Sequence, residues 1–316
     1  MSRFLKNVDP KNYQKHWSWK HRILVYAGGS QLYGTALLAS DVDLRYIYMM
    51  PVVEALGVSG TSTIVPHFID KEACVDVAGH MLNHWVKLAL DGNPTALEGL
   101  FCDSQVKFSN GYWETILQRR NNFVSKRAVP KFIGKARSDL ARTKRHKSFV
   151  DNPPVKPMQE DFGGVFKDNH YVYSDPRGQE RYSKAKNDWD AYYFWASEGS
   201  AERRELIRQF GYDLKDACNI FRGLGEISEL LQYGYITYPR PDAAFLRSIR
   251  YEGMNFDRML ALVDETIHHI DNHIAPHSSI PDQPNEELIV NMLMDLNSEW
   301  LGISADRVKT LMELAS

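Results

Sequence analysis

Two aspartates separated by one residue are the part of the sequence best suited to chemistry. Asp41 and Asp43 lie in SDVDLR, at the start of the apolar run VDLRYIYMM. In an extended strand alternate side chains share a face, so both carboxylates would point the same way while Val42 points into the core. A divalent metal such as Mg²⁺ or Mn²⁺ is the simplest neutralising partner for such oxygen ligands. Asp76, in the run ACVDVAG, supplies a third acid and completes the prediction of a two-metal site.

A structural interpretation of the same pair is also open. Asp41 would end a turn and Asp43 would form a salt bridge with Arg45, as many surface acids do. An Asp-x-Asp pair taken alone favours this simpler interpretation. The choice therefore depends on the residues that surround the pair.

A Gly-Gly-Ser turn precedes the acidic pair. After the apolar run RILVYA, Gly28 and Gly29 permit a sharp turn and close approach of the backbone. Ser30 can begin a helix whose free N–H groups and dipole attract phosphate. The alternative is a plain glycine turn with Ser30 as the N-cap. The order of strand, Gly-Gly-Ser turn, short helix and Asp-x-Asp strand favours a phosphate cradle beside a metal site.

The N-terminal third of the chain has the pattern of an α/β framework that would position these residues. Strands are predicted at RILVYA, VDLRYIYMM and ACVDVAG, and helices near SQLYGTALL and through HMLNHWVKLALDG. In DGNPTALEGLF, Asn93 and Pro94 predict the N-cap and first residue of one more helix.

After about residue 111 the pattern changes to apolar residues spaced three and four apart, which predicts helices. The segment 150–182 is rich in Pro, Gly, Asp and aromatic residues without steady period, and predicts a long loop or a small hairpin. We therefore expect an α+β fold: a mixed sheet with flanking helices at 1–110, then a mainly α-helical region at 111–316 that binds substrate.

Composition limits the class of protein. The chain has 316 residues, 43% of them hydrophobic and 25% charged, with a formal charge of −2, so any nucleic-acid site must be a local patch. The three cysteines have no CxxC spacing, and no segment approaches the roughly 18 apolar residues of a membrane span. The expectation is a cytoplasmic protein with no membrane contact. The sequence carries no signal for its oligomeric state.

One such patch is the segment 125–147, which contains nine Lys or Arg residues and the single acid Asp139. Four of the basic residues lie close to one side of the predicted helix and would contact a nucleic-acid backbone: Lys131, Lys135, Arg142 and Arg145. Several tyrosines are candidates for stacking on bases: Tyr171, Tyr173, Tyr192 and Tyr193. An ordinary basic helix and a packed aromatic core are the alternatives.

A helix predicted from about residue 212 carries a second polar stripe. Lys215, Asn219, Arg222 and Glu226 share one face, and the two cations suit a nucleotide phosphate. The alternative is a solvated stripe with an Arg222–Glu226 pair.

A histidine cluster in DETIHHIDNHIAPHSS includes His269 and His273 at the spacing of a metal pair, but no HExxH motif or cysteine accompanies them. A cluster on a helix surface is the favoured interpretation. No P-loop and no GxSxG motif occurs, which argues against P-loop NTPases and serine hydrolases.

Taken together, four ordered motifs resemble a known superfamily. The segments are GGSQLYGT, SDVDLR, GNPTALEGLF and GYDLKDACNIFRGLGEISELLQYGYITYPRP. They are similar to the nucleotidyltransferases typified by DNA polymerase β. More narrowly, they resemble the predicted nucleotidyltransferases associated with RNA-repair ligases, a family also found in bacteriophages. The resemblance spans roughly residues 20–245.

The resemblance implies roles for single residues. Asp41 and Asp43 would bind both Mg²⁺ or Mn²⁺ ions, and Asp76 the ion on the side of the nucleophile. Gly29 and Ser30 would bind the triphosphate of an NTP such as ATP. The full set expected to bind the nucleotide is Gly28, Gly29, Ser30, Tyr33, Gly34, Arg45, Lys215, Asn219 and Arg222.

The implied reaction is transfer of NMP from an NTP to a hydroxyl of an RNA end, tRNA included, for repair or modification. A protein or small-molecule nucleotidylyltransferase that transfers AMP is one alternative, and a non-catalytic nucleotide- or RNA-binding protein is another. The chain departs from the family pattern at Asn219, where a His is usual, and at Gly223, where a larger apolar residue is usual. Specificity for base or acceptor can differ there.

Overall fold

The computed structural model describes residues 16–38, 40–51, 67–70, 74–197 and 201–304. Its strands are β1 (Arg22–Ala27), β2 (Val42–Tyr48), β3 (His67–Asp70), β4 (Val75–Met81), β5 (Val106–Ser109), β6 (Gly164–Lys167) and β7 (His170–Tyr173). Its α-helices are α1 (Trp17–Lys20), α2 (Gly29–Tyr33), α3 (Leu82–Leu90), α4 (Pro94–Leu100), α5 (Gly111–Leu117), α6 (Ala128–Asp151), α7 (Pro176–Ser197), α8 (Ala201–Phe210), α9 (Leu214–Tyr233), α10 (Ala243–Tyr251), α11 (Phe256–His269) and α12 (Glu286–Leu301). In the described part of the chain, no helix combines the length and apolar character needed to cross a membrane.

The predicted mixed sheet is confirmed. Five strands lie in the order β3-β4-β2-β1-β5. The central pair β2 and β4 is parallel, while β1 pairs antiparallel with both β2 and β5, and β3 pairs antiparallel with β4. The fold is α+β, with the helical C-terminal region that the sequence predicts.

Alternation in the first half of β2 explains why this strand carries both core and polar groups. Val42, Leu44 and Tyr46 are buried and pack in one apolar cluster with residues of β1 and β4. Asp43 and Arg45 project from the opposite face and remain partly exposed. The period of two thus keeps the carboxylate out of the core while the strand occupies the centre of the sheet.

The two helices that follow β4 begin as the sequence predicts. In α3 the buried residues Leu82, Trp85 and Val86 have helical spacing and form its apolar face. Asn93 caps α4, since its side-chain oxygen accepts a hydrogen bond from the backbone N–H of Ala96, and Pro94 is the first helical residue.

Contacts divide the chain into two compact units that are discontinuous in sequence. The first unit comprises residues 1–134, 222–246 and 266–316, and the second comprises 135–221 and 247–265. Strands β1 to β5 belong to the first unit. The second unit contains the β6–β7 hairpin, in which Gly164 pairs with Tyr173, so the hairpin expected within 150–182 is confirmed.

Buried carboxylates organise the interior of the second unit. Asp139, Asp213 and Asp216 are buried, and each has a cationic partner. The guanidinium of Arg203 donates hydrogen bonds to Asp213. The guanidinium of Arg142 donates to both oxygens of Asp216, at 2.9 and 3.0 Å, and lies 3.0 Å from Asp139. Because a buried charge is costly without a partner, loss of either member of such a pair is expected to destabilise the fold.

We expect Arg142→Ala to lower the free energy of unfolding by roughly 2–4 kcal/mol, because Asp216 would stay buried without its bidentate partner. Arg145→Ala is the matched control, since Arg145 is exposed on the same helix and its loss should change stability by less than about 0.5 kcal/mol. Urea denaturation followed by circular dichroism measures both. Equal effects of the two substitutions would contradict a structural role for Arg142.

Candidate active site

The centre of the candidate site is a pair of aspartates on adjacent parallel strands. Asp43 on β2 and Asp76 on β4 are direct partners in the register of the sheet. In-register residues on neighbouring strands project from the same face with their side chains close together. Both side chains are partly exposed, so a ligand can reach them. Two like charges in this position favour binding of a cation.

Asp41 lies just before β2 and is exposed. The backbone there is held by a 2.9 Å hydrogen bond from the N–H of Val42 to the carbonyl of Cys74. Alternation puts position 41 on the face of Asp43, but the described residues contain no group of three His, Cys, Asp or Glu side chains arranged to hold a metal ion. The structure therefore places Asp43 and Asp76 side by side, whereas Asp41 is the residue before the start of β2.

Arg45 and His67 lie beside the two acids. Arg45, two residues beyond Asp43 on the same face, has guanidinium nitrogens 3.7 Å from an oxygen of Asp43 and 4.0 Å from an oxygen of Asp76. His67 on the edge strand β3 places Nε2 2.6 Å from the same oxygen of Asp76. The two acids, which contact Arg45 and His67, provide oxygen ligands of the kind that a hard divalent cation prefers.

Sequence analysis did not identify His67. The strand β3 is four residues long and mostly exposed, so it lacks an apolar signature. Its contact with Asp76 arises from antiparallel pairing with β4, in which His67 is opposite Ala78. His67 could therefore have been identified only by predicting the pairing of β3 with β4 correctly.

The Gly-Gly-Ser turn packs directly against Asp43. The N–H of Gly28 donates a 2.8 Å hydrogen bond to the backbone carbonyl of Asp43. Gly29 begins α2 with φ +56, and a Cβ added there would lie 1.9 Å from Oδ2 of Asp43. Ser30 follows in the first turn of this short helix. Glycine is required at position 29 both by its positive φ and by the close carboxylate.

The far end of α2 is held by a buried polar cluster, which we call the Arg222 network and define as Tyr33, Glu98, Arg222, Glu226 and Tyr238. Nη1 of Arg222 donates hydrogen bonds of 2.9 Å to both Glu98 and Glu226. Tyr33 donates to Glu98 at 2.8 Å, and Tyr238 donates to Glu226 at 3.0 Å. The guanidinium carbon of Arg222 lies 4.0 Å from the ring centroid of Tyr33, a cation–π contact.

Three residues predicted to bind the nucleotide belong to this region. The side chain of Arg222 is only 15% exposed, and both of its acid partners are buried. Gly34, with φ +72, packs against Pro239, where a Cβ would approach to 2.8 Å. The carbonyl of Tyr33 accepts a hydrogen bond from the N–H of Arg240. In the structure Tyr33, Gly34 and Arg222 fix the position of α2, and contact with a nucleotide stays a prediction.

Glu98 and Tyr238 are residues of the Arg222 network that sequence reasoning did not assign, whereas the Arg222–Glu226 pair is the alternative that it gave, here buried and not solvated. Glu98 lies in the matched segment GNPTALEGLF, but its helical position alone gives no reason for a buried charge. Burial raises the pKa of Glu98 to about 7, and the charge of Glu226 adds to the rise, against the attraction of Arg222. The network therefore contains one cation and two acids of which Glu98 is readily protonated.

The remaining predicted contacts lie on helices. Lys215 is exposed and Asn219 partly exposed in the half of α9 that belongs to the second unit, and their role in nucleotide binding stays a prediction. In α6, Lys135 donates to buried Asp139 and Arg142 to buried Asp216, while two other basic residues, Lys131 and Arg145, are exposed. RNA contact by these four side chains stays a prediction.

The four tyrosines that are candidates for stacking on bases differ in solvent exposure. Tyr193 is exposed and stacks on Trp189, whereas Tyr192 packs edge-on against buried Phe149. On the hairpin, Tyr171 donates to Glu160 and Tyr173 to Gln159.

The histidine cluster lies on the surface. Four exposed members form ring and backbone contacts among themselves and with Asn272: His268, His269, His273 and His277. Among the described residues no group of three or more His, Cys, Asp or Glu side chains is arranged to hold a metal ion here.

Comparison with known proteins defines the class. Residues 8–158 match the model of a family of polymerase β type that acts in RNA repair. With the mixed sheet, this match indicates a polymerase β-like nucleotidyltransferase of an RNA repair pathway. The matched family is described as the RNA repair pathway DNA polymerase beta family, RlaP, and this match confirms the resemblance seen in the sequence motifs.

The crystal structure of a nucleotidyltransferase-like protein from Exiguobacterium sibiricum 255-15 is similar at 9% sequence identity, covering 94% of this chain and 78% of that chain with a TM-score of 0.27. No curated protein matches the sequence.

The pKa of Glu98 gives a test of the Arg222 network. Because the folded protein holds the proton of Glu98 up to about pH 7 and the unfolded chain loses it near 4.5, the folded state binds more protons between these values. The free energy of unfolding should therefore fall as pH rises from about 4.5 to 7, by an amount on the order of 2–3 kcal/mol, relative to Glu98→Gln.

Urea denaturation at several pH values measures this difference. Glu114→Gln, which alters an exposed acid on α5, is the control and should keep the wild-type dependence. Parallel curves for wild type and Glu98→Gln would show that Glu98 ionises normally.

Proposed function

We propose that this protein is a metal-dependent nucleotidyltransferase that transfers NMP from an NTP to a hydroxyl of an RNA end. The observation that carries the proposal is the in-register pair of Asp43 and Asp76, with the Gly28–Ser30 turn packed against Asp43. This places two carboxylates beside a backbone turn whose N–H groups suit a triphosphate.

The donor set fits two Mg²⁺ or Mn²⁺ ions. Asp41 and Asp43 would hold both ions, and Asp76 the ion on the side of the nucleophile. When bound, these ions lower the pKa of the acceptor hydroxyl and stabilise charge on the triphosphate. Asp41, exposed at the entrance of β2, would complete the ligand set once the ions are present.

Protein groups would orient the reaction. Gly29 and Ser30 would bind the triphosphate, and Arg45, freed from the acids by the metal ions, would neutralise phosphate charge. A bond forms between the acceptor oxygen and the α-phosphorus, the bond from that phosphorus to the oxygen bridging to the β-phosphorus breaks, and the hydroxyl proton is released. Pyrophosphate leaves. The Arg222 network would act through α2 by keeping the turn against Asp43.

An RNA end is the proposed acceptor, because the matched family belongs to RNA repair. The exposed Lys131 and Arg145 of α6 would contact its backbone, and Lys215 and Asn219 of α9 would contact the nucleotide. The proposed location is the cytoplasm of a bacterium or a phage-infected host, which agrees with three cysteines that form no disulfide.

The direct test is incubation with each α-labelled NTP, Mg²⁺ or Mn²⁺, and total RNA or cell extract. We expect extension of RNA by labelled nucleotide. Asp43→Asn and Asp76→Asn should each reduce labelling by about 100-fold or more, because each removes charge from a metal ligand. Asp295→Asn, which alters an exposed acid on α12, is the matched control and should label as wild type does.

The product identifies the acceptor class. Label on protein or on a metabolite would replace the RNA proposal by transfer of AMP to that acceptor. Metal-dependent NTP binding with no pyrophosphate release from any pool would indicate a non-catalytic nucleotide-binding protein. Equal labelling by wild type and both Asp variants would reject these acids as catalytic.

Gly29→Ala tests the turn separately from the acids. The new Cβ would overlap the carboxylate of Asp43 at a positive φ, so Asp43 must move, and labelling should fall by about tenfold or more. Gly134→Ala on α6 is the control, since a Cβ added there would meet no atom within 4 Å. Full activity of Gly29→Ala in the same labelling assay would refute the close approach of turn and acid.

A further inference from the structure

A cavity of about 210 Å³ lies beside the candidate active site, within the first unit. Its lining includes Tyr26, Arg45, His80, Trp85 and Ala96. Arg45 and His80 are an even number of residues from Asp43 and Asp76 along β2 and β4, so they project from the same face of the sheet as the acids. Arg45, which contacts both acids, is thus also a wall of the cavity.

His80 is the polar group that this cavity leaves without a partner. Its Nδ1 is buried and forms no hydrogen bond within the described residues. Burial lowers the pKa of His80 to about 4, and the neighbouring His84 and Arg45 lower it further, so the imidazole is neutral at physiological pH. A buried polar atom without a partner is unusual and suggests that a ligand supplies the missing hydrogen bond.

The rest of the lining suits a flat, neutral group. Trp85 and Tyr26 are almost fully buried and provide aromatic surface, and burial raises the pKa of Tyr26, so its phenol stays neutral. The guanidinium of Arg45 stands on the side of the acids and is the one cation of the cavity lining described here. A phosphate group would therefore bind near Arg45, while an uncharged heterocycle would bind inside the cavity.

The volume of the cavity limits the size of the ligand that it can bind. A cavity of about 150 Å³ is enough for benzene, and pockets for drug-sized ligands begin at about 300 Å³. A volume of about 210 Å³ therefore has room for one planar heterocycle and not for a heterocycle with its sugar.

The register of the sheet sets the distance from the acids. Asp43 pairs with Asp76, and four residues further along the strands Ile47 pairs with His80. At the rise of a strand, the region between Arg45 and His80 lies roughly 7–13 Å beyond the acids. A nucleotide whose phosphates are at the acids carries its base about this far away, with the ribose in between.

We propose that this cavity binds the base of the donor nucleotide, with Nδ1 of His80 as its hydrogen-bonding partner and Trp85 and Tyr26 as its aromatic walls. The inference rests on the proposed function, since it places the triphosphate at the turn beside Asp43. It assigns recognition of the base to the first unit.

Binding of NTPs and of inorganic tripolyphosphate to the full-length protein, each with Mg²⁺, tests the cavity by calorimetry. At least one of ATP, GTP, CTP and UTP should bind about tenfold or more tightly than tripolyphosphate, since stacking of one base contributes this much. His80→Leu and Ala96→Leu, which remove the partner and fill the cavity, should abolish that advantage and leave tripolyphosphate binding unchanged.

His84→Leu is the matched control, because His84 stacks on His80 but is not part of the cavity lining. It should keep the wild-type preference, and thermal denaturation checks that all three variants fold. If every NTP binds as weakly as tripolyphosphate, or if His80→Leu and Ala96→Leu both retain the preference, the base lies elsewhere and only the cavity inference fails. If neither NTP nor tripolyphosphate binds with Mg²⁺ or Mn²⁺, the proposed function fails and the inference with it.

Discussion

The parallel pairing of β2 with β4 is the constraint on which the candidate site depends. It sets Asp43 directly beside Asp76, and the repulsion between the two carboxylates has to be offset by a cation. In the structure the guanidinium of Arg45 partly fills that role, and His67 lies within hydrogen-bonding distance of Asp76. In the proposed function, metal ions bound by the two acids would replace these contacts. A slip of one residue in this register would turn one acid toward the apolar cluster, where its charge would be costly.

The backbone turn before α2 is tied to the same strand. One hydrogen bond joins Gly28 to the carbonyl of Asp43, and Gly29 leaves no space between turn and carboxylate. The other end of α2 is held by Arg222 and its two buried acids. A buried ion network of this kind contributes little net stability, because desolvation offsets attraction, but it permits few alternative arrangements. It is therefore suited to fixing a short helix that could not hold its own position.

Helices of both units carry charges whose roles differ by burial. Arg142 and Arg145 are close in sequence and equally basic, yet one is committed to a buried aspartate and the other is exposed. A helical-wheel projection of the sequence does not distinguish Arg142 from Arg145. Only the exposed residues remain available to a polyanion, so a nucleic-acid surface on α6 would be smaller than the count of cations suggests.

Local pattern was sufficient for several elements. Short apolar runs identified β1, β2 and β4, the Asn93–Pro94 pair identified the start of α4, and glycine chemistry identified the turn after β1, because each depends on preferences of neighbouring residues. The predicted division near residue 110 follows composition, whereas the compact units are interleaved along the chain.

Long-range contacts were decided only by the tertiary structure. They include the pairing of His67 with Asp76, the burial of Glu98 and Glu226 around Arg222, and the cavity beside His80. The sequence by itself determined the order of the glycine turn and the aspartates, and it predicted the strands on which Asp43 and Asp76 lie. The tertiary structure decided which of them meet, because strand register and burial depend on residues distant in sequence, whose pairing no local pattern encodes.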